Sequence, residues 1–185
     1  MNAKRYIAAV LALILAATCI SCGAGSARVS LESGVSAMTR GEYEKSGGYF
    51  GEEFAEKLAG YDLGGDKGEV YRALTSRFKL TYTGEDKLDG DTCRIPARVE
   101  FIDAGALSSY VSVEVSVSGT SAVKRISELA ETGYLDENFI TSRVCEIVAR
   151  KTDGKWTVSV SQTENPVLYD AFGLSGFLRW LENQE

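Results

Sequence analysis

The sequence predicts an α+β fold in which N-terminal helices pack on a curved antiparallel sheet of four to five strands, with a short C-terminal helix. Two observations predict it. Apolar residues recur at helical spacing from Val29 to about Ser76, and apolar and polar residues alternate in several segments after Arg77. Helices therefore come first and strands follow, whereas a parallel sheet would need strand and helix to alternate throughout.

Three helices are predicted before the sheet. The first keeps apolar residues at helical spacing from Val29 and ends at Gly41. The second covers residues 43–58, and a pair of glycines in its middle weakens it. The glycine-rich residues 60–68 predict a loop, after which Val70 starts a third, shorter helix.

The first strands are read from strict alternation. Residues 78–82 alternate, the dipeptide Asp89-Gly90 supplies a turn, and residues 93–101 give the clearest strand in the chain. Pro96 falls on the polar side of that strand and cannot donate a hydrogen bond, so we expect it at an edge or a bulge. Valines alternate with polar residues over 111–117, which predicts a further strand.

The last third of the chain returns to mixed structure. Residues 120–132 have helical composition and spacing. Residues 144–151 and 156–163 predict a hairpin across Asp153-Gly154, a dipeptide suited to a type I′ turn. Asn165-Pro166 predicts a helix N-cap followed by proline at the first helical position, which opens the C-terminal helix.

The amino terminus is typical of an exported protein. Lys4 and Arg5 precede an uninterrupted apolar run of 11 residues, 7–17. This run is too short for a bilayer core, which needs about 20 residues. Ser21 and Cys22 then resemble the lipobox of bacterial lipoproteins, in which a small residue precedes the cysteine that is lipidated and becomes residue one.

That resemblance implies a signal peptide at 1–21, a flexible tether at 22–28 and a single domain at 29–185. Two or three acyl chains on Cys22 would hold the protein in the cell membrane, facing outside the cytoplasm at the cell surface or in the periplasm. The alternative is an ordinary secretory signal cut near Ala27. Cleavage before Cys22 takes the formal net charge from −6 to −8, because two cations are lost. We therefore expect an anionic membrane to repel the domain.

Three turn motifs resemble small bacterial lipoproteins whose cone-shaped domain is similar to nuclear transport factor 2. The motifs are Gly41-Glu42-Tyr43-Glu44, Asp89-Gly90-Asp91-Thr92 and Asp153-Gly154-Lys155-Trp156. The resemblance covers most of residues 30–164 and implies helices packed into a curved antiparallel sheet. Most such lipoproteins are of unknown function, so the resemblance implies a fold and little chemistry.

Composition narrows the function classes. The chain of 185 residues contains no histidine, which excludes Ser-His-Asp and Cys-His catalysis and metal sites that need an imidazole. Its 20 basic and 26 acidic residues include no basic stripe to neutralise phosphates, so no nucleic-acid partner is predicted. No cofactor and no metal site are predicted either.

Asp103 is the carboxylate that merits a catalytic hypothesis. Alternation along residues 93–101 places it on the inward face at the end of a strand. In cone-fold enzymes similar to ketosteroid isomerase, such an Asp acts as general base and a Tyr completes the oxyanion hole, a role for which Tyr82 is the candidate. The favoured alternative is that Asp103 caps the turn before Gly105.

Cys93 and Cys145 both occupy apolar-facing strand positions. An exported location permits a disulfide between them, which would close a loop of about 52 residues and contribute about 4 kcal/mol. The alternative is two buried free thiols that pack as small hydrophobic side chains.

These observations predict a lipid-anchored, extracytoplasmic lipoprotein that is not an enzyme and serves as a binding or envelope-associated module. Its partners would be the membrane, through lipid on Cys22, and an unidentified protein or small-molecule ligand. The alternative function is a small cone-fold isomerase or hydrolase that uses Asp103 with Tyr82.

Overall fold

The computed structural model describes residues 25–184, so the predicted signal peptide at 1–21 and the lipidation candidate Cys22 lie outside the described residues. The fold class is α+β, as predicted. The helices are α1 (25–39), α2 (Tyr43–Phe50), α3 (Glu52–Ala59), α4 (Gly65–Thr75), α5 (Ala104–Ser118), α6 (Ala122–Glu131), α7 (Tyr134–Asn138), α8 (Pro166–Ala171) and α9 (Phe177–Glu182).

The strands form one antiparallel sheet with the order β1-β3-β4-β5, and β2 pairs with β3 on the same side as β1. This matches the predicted four to five strands. The strands are β1 (Lys79–Tyr82), β2 (Lys87–Asp89), β3 (Thr92–Ile102), β4 (Ile140–Thr152) and β5 (Lys155–Thr157). The sheet is built mainly on the long β3–β4 pair, which runs in unbroken register from Thr92↔Arg150 to Ile102↔Ile140.

The packed domain begins earlier in the chain than predicted. Residues 25–28, assigned to a flexible tether, are helical and belong to α1. Ala27 is fully buried, and the Arg28 guanidinium donates to the Asp86 carboxylate at 2.8 Å. Burial of a small apolar side chain and a long-range ion pair hold these residues in the domain, so the packed part of the chain begins before Val29.

The N-terminal helices follow the prediction with one shift. The second predicted helix is divided into α2 and α3 at Gly51, whose φ of 89° favours glycine, and not at the glycine pair 47–48. Gly47 serves packing instead, because a Cβ at that position would lie 2.5 Å from the Cβ of Ala55 on α3. Helix α4 begins at Gly65, inside the predicted loop.

Residues 111–117 are the largest error, because the predicted strand is the second half of helix α5. Both ends carry helix signals: the Asp103 carboxylate accepts from the Ala106 N–H at 2.9 Å, and Gly119 adopts a left-handed C-cap with φ 71°. Val111 is fully buried, whereas Val117 is 85% exposed. Because the valines recur every second residue and a helix repeats about every 3.6, only some of the valines fall on the packed side of the helix.

Pro96 does not lie on an edge strand, because β3 has neighbours on both sides. Its carbonyl accepts from the Thr83 N–H at 3.0 Å. The nitrogen and carbonyl of one residue point to the same side of an antiparallel ladder, so the missing N–H faces Thr83, just past the end of β1, and the β3–β4 ladder loses no hydrogen bond.

The C-terminal part departs from the prediction in length. Asp153 and Gly154 both have positive φ, as a type I′ turn requires, but β5 ends at Thr157. Asn165 holds the predicted N-cap position of α8 without a side-chain cap. Its buried amide instead accepts from the Val148 N–H at 2.8 Å and donates to the carbonyls of Val148 and Ser159. A side chain thus replaces a strand at the edge of β4.

The core lies between the helices and one face of the sheet, which we call the inner face. On β3, this face consists of Cys93, Ile95, Ala97 and Val99, all fully buried. The helical layer supplies aromatic side chains, and Phe172 packs against three rings at centroid distances of 5.2–5.9 Å, those of Phe50, Phe54 and Phe78. One face of the sheet is therefore covered, and this determines where a site is open to partners.

Candidate functional site

Within residues 25–184, no helix covers the opposite face of the sheet, and we call it the outer face. Alternation along β3 and β4 sends every second side chain to this side, so the same strands that build the core also build a surface. Its exposed members are Lys79, Thr81, Lys87, Asp89, Arg94, Arg98, Ile140, Ser142, Val144, Glu146, Arg150, Thr152 and Lys155. The outer face extends about 26 Å along β3 from Thr92 to Glu100 at roughly 3.3 Å per residue.

The outer face is basic although the chain is acidic. Six cations share it with three carboxylates, those of Asp89, Glu100 and Glu146. Lys87 lies 3.0 Å from Glu146 and lowers the pKa of that carboxyl by hydrogen bonding, with Coulombic attraction adding to the effect. Arg150 pairs with Glu164 at 2.6 Å.

Four cations of the outer face have no such partner. Among the described residues, Lys79, Arg94, Arg98 and Lys155 form no ion pair. Val144 lies directly opposite Arg98 in the β3–β4 register and is 68% exposed. An apolar side chain therefore lies directly opposite an unpaired cation, an arrangement that can contact an anionic surface with both charge and apolar area.

A second group of residues fixes the start of α1 to the sheet edge. The Arg28 guanidinium donates to both Asp86 oxygens and to the Gly84 carbonyl, and it lies 4.1 Å from the Tyr82 ring centroid. The Tyr82 hydroxyl donates to Glu32 at 2.8 Å. Burial raises the pKa of Tyr82, and the hydrogen bond to Glu32 raises it further. This cluster joins α1 to the segment between β1 and β2.

Asp103 and Tyr82 are not brought together. Tyr82 on β1 is paired with Ala97 on β3. Asp103 lies just past the end of β3, six residues beyond Ala97, which is about 20 Å at 3.3 Å per residue. The Asp103 carboxylate caps the N-terminus of α5, and the Asp103 backbone N–H donates to the Phe139 carbonyl at 2.8 Å. The capping interpretation is confirmed in this form, as a helix N-cap.

The disulfide hypothesis is wrong for this fold, and both cysteines are free. Both side chains point to the inner face, as predicted, but Cys93 is opposite Ala149 while Cys145 is opposite Ala97. Four ladder positions separate them, which is about 13 Å. A disulfide requires Cα atoms within about 7 Å. Burial raises the pKa of each thiol.

A cleft of about 570 Å³ between α5 and α6 went unrecognised in the sequence. It is lined by Tyr110, Val113 and Val117 of α5, and by Arg125 of α6, which binds Glu114 and Glu128. The sequence did not predict this cleft, because the alternating valines predicted a strand at these positions. The signal that could have revealed it was the spacing from Asp103 to Gly119, an N-cap and a C-cap separated by one helix length.

Within residues 25–184, no group of three or more His, Cys, Asp or Glu side chains is placed to hold a metal ion. In the same described part of the chain, every helix is too short or too polar to cross a bilayer.

No protein-family model, curated protein or solved structure matches this chain. The fold and the site therefore define a class by architecture alone: a two-layer α+β domain with helices on one face of a curled antiparallel sheet and a bare, basic outer face. The resemblance to cone-fold lipoproteins stays a prediction.

Proposed function

We propose that the protein is a lipid-anchored, extracytoplasmic lipoprotein whose domain is a non-catalytic binding or envelope-associated module. The observation that carries the proposal is the position of the packed domain relative to Cys22. Helix α1 is already formed at residue 25, and Ala27 is fully buried. A lipidated Cys22 would leave this helix intact.

The alternative cleavage site near Ala27 fits the domain less well. A cut there would remove helical residues of α1 together with Ala27, which is buried in the core. It would also create a charged amino terminus beside Arg28, whose guanidinium is held by Asp86. Loss of a helical turn and repulsion between two cations both oppose this cleavage product.

Binding is favoured over catalysis by the state of the candidate catalytic residues. Asp103 is engaged in capping α5 and the Tyr82 hydroxyl is engaged with Glu32, at points about 20 Å apart. The open surfaces are instead the outer face and the cleft between α5 and α6. Both are suited to contact a partner, since they combine exposed valines with charged side chains.

Detergent phase separation of the expressed protein tests the proposal. We expect the wild-type protein and the matched control Cys19→Ala to enter the detergent phase after signal cleavage, because each keeps Cys22. Cys22→Ala removes the acceptor thiol, and its processed form should stay in the aqueous phase. A processed Cys22→Ala protein that still enters the detergent phase would overturn lipid anchoring.

A further inference from the structure

The inference concerns the outer face and rests on the proposed lipid anchor. We propose that the outer face lies against the membrane and binds the phosphates of anionic phospholipid headgroups. The formal net charge of the chain cleaved before Cys22, −8, argues against any approach to an anionic surface. The structure changes this expectation, because it separates the charges between the two layers of the domain.

The charge separation follows from alternation in the sheet and amphipathicity in the helices. Six exposed cations lie on the outer face, from Lys79 at one end to Lys155 at the other. Helix α3, in the opposite layer, exposes Glu52, Glu53 and Glu56. Exposed charges further than a Debye length, about 8 Å at physiological salt, are largely screened. A surface that meets the outer face therefore interacts mainly with cations.

The position of the anchor brings this face to the bilayer. Residues 23 and 24 alone separate Cys22 from the described helix, and three chain steps reach at most about 10 Å. Arg28 fixes the start of that helix to Gly84 and Asp86, at the sheet edge between β1 and β2. Lys87, the next residue, is already on the outer face. An anchored chain would thus hold this edge beside the headgroups.

The chemistry of the outer face suits phosphate headgroups. Arg94 and Arg98 present guanidinium groups, which bind phosphate oxygens in a bidentate manner, and neither forms an ion pair within the described residues. Each basic residue near an anionic leaflet strengthens binding by about fivefold. Val144, exposed directly opposite Arg98, adds apolar area at the depth of the headgroups.

Lysine footprinting tests the inference on the wild-type lipidated protein. The protein is reconstituted into vesicles of phosphatidylcholine, either alone or mixed with phosphatidylglycerol, and the rate of amine labelling is measured at each lysine by mass spectrometry. We expect labelling of Lys79, Lys87 and Lys155 to slow by at least about threefold in the mixed vesicles and to recover at high salt. Lys45 and Lys124, in the helical layer, are internal controls and should not change.

A pair of matched variants assigns the protection to the face. The triple variant Lys79→Gln, Arg94→Gln, Arg98→Gln should lose the protection of Lys87. The control triple variant Lys45→Gln, Lys124→Gln, Arg179→Gln removes the same charge from exposed positions outside the sheet and should keep it.

The outcomes separate the two proposals. Equal labelling in both kinds of vesicle would overturn the inference, and so would protection seen only in native membranes, which would favour a protein partner for the outer face. Loss of protection in both triple variants would also overturn it. Failure of the lipid anchor is seen separately, as wild-type protein that does not float with pure phosphatidylcholine vesicles.

Discussion

The inner and outer faces of the sheet are made by the same strands, yet they serve different purposes. On β4, Ile147 points to the helices and is 1% exposed, whereas Val144 points outward and is 68% exposed. Alternation decides which residues share a face, and helix packing decides which face becomes the core. The inner face therefore carries the stability of this domain, while the outer face remains available for contact with a partner.

Truncation of one side chain on each face should give the largest contrast. Ile147→Ala leaves a cavity in the core and should lower the free energy of unfolding by about 2–5 kcal/mol. Val144→Ala, three residues away on the same strand, should change it by less than about 0.5 kcal/mol. Urea denaturation measures both. Similar losses for the two variants would contradict the distinction between the faces.

The edge of the sheet offers the next test, because a side chain completes it. Asn165→Ala removes three hydrogen bonds. The N–H and carbonyl of Val148 and the carbonyl of Ser159 each lose their bond to the Asn165 side chain. We expect a loss of about 2–4 kcal/mol in thermal or chemical unfolding. Asn183→Ala is the control, since its exposed amide donates only to the Arg179 carbonyl. A loss no larger than that of the control would show that Asn165 does not complete the edge.

Asp103 lies where β3 passes into the helical layer. Asp103→Ala should cost about 1 kcal/mol, the usual value of an N-cap, and Ser121→Ala should cost a similar amount because Ser121 caps α6 in the same way. Far-UV circular dichroism during thermal unfolding compares the two. If Asp103→Ala instead abolished a measured activity without lowering stability, while Ser121→Ala did not, the isomerase or hydrolase alternative would be favoured.

The smallest effect is expected on the outer face itself. Lys87 holds the pKa of Glu146 below its usual value, so Lys87→Gln should raise that pKa toward the usual range. The pair stabilises the fold above the unfolded-state pKa of Glu146, and this contribution is lost as pH falls through the folded-state pKa. NMR titration of the Glu146 carboxyl is the measurement. An unchanged titration in Lys87→Gln would show that the pair does not persist in solution.

Much of the sheet could be predicted from local sequence. Strand β3 is half buried, so its alternation is strict and its inward residues were identified correctly. Helix α5 was not, because valine alternation outweighed the caps at Asp103 and Gly119. In the structure, both caps and the burial of Leu107 and Val111 against the core fix this segment as a helix.

The candidate site depends on pairings that no local pattern contains. Alternation places Arg94 and Arg98 on one face, but only the β1–β3 register adds Lys79 to it. The same limit applies to Cys93 and Cys145, whose common face was predicted and whose four-position offset was not. Strand register between distant segments follows from packing of the whole domain.

The intact mass of the wild-type protein extracted from membranes shows in a single measurement whether the domain is lipid-anchored. We expect a chain that begins at Cys22 and carries the added mass of two or three acyl chains. An unmodified chain beginning near Arg28 would contradict it.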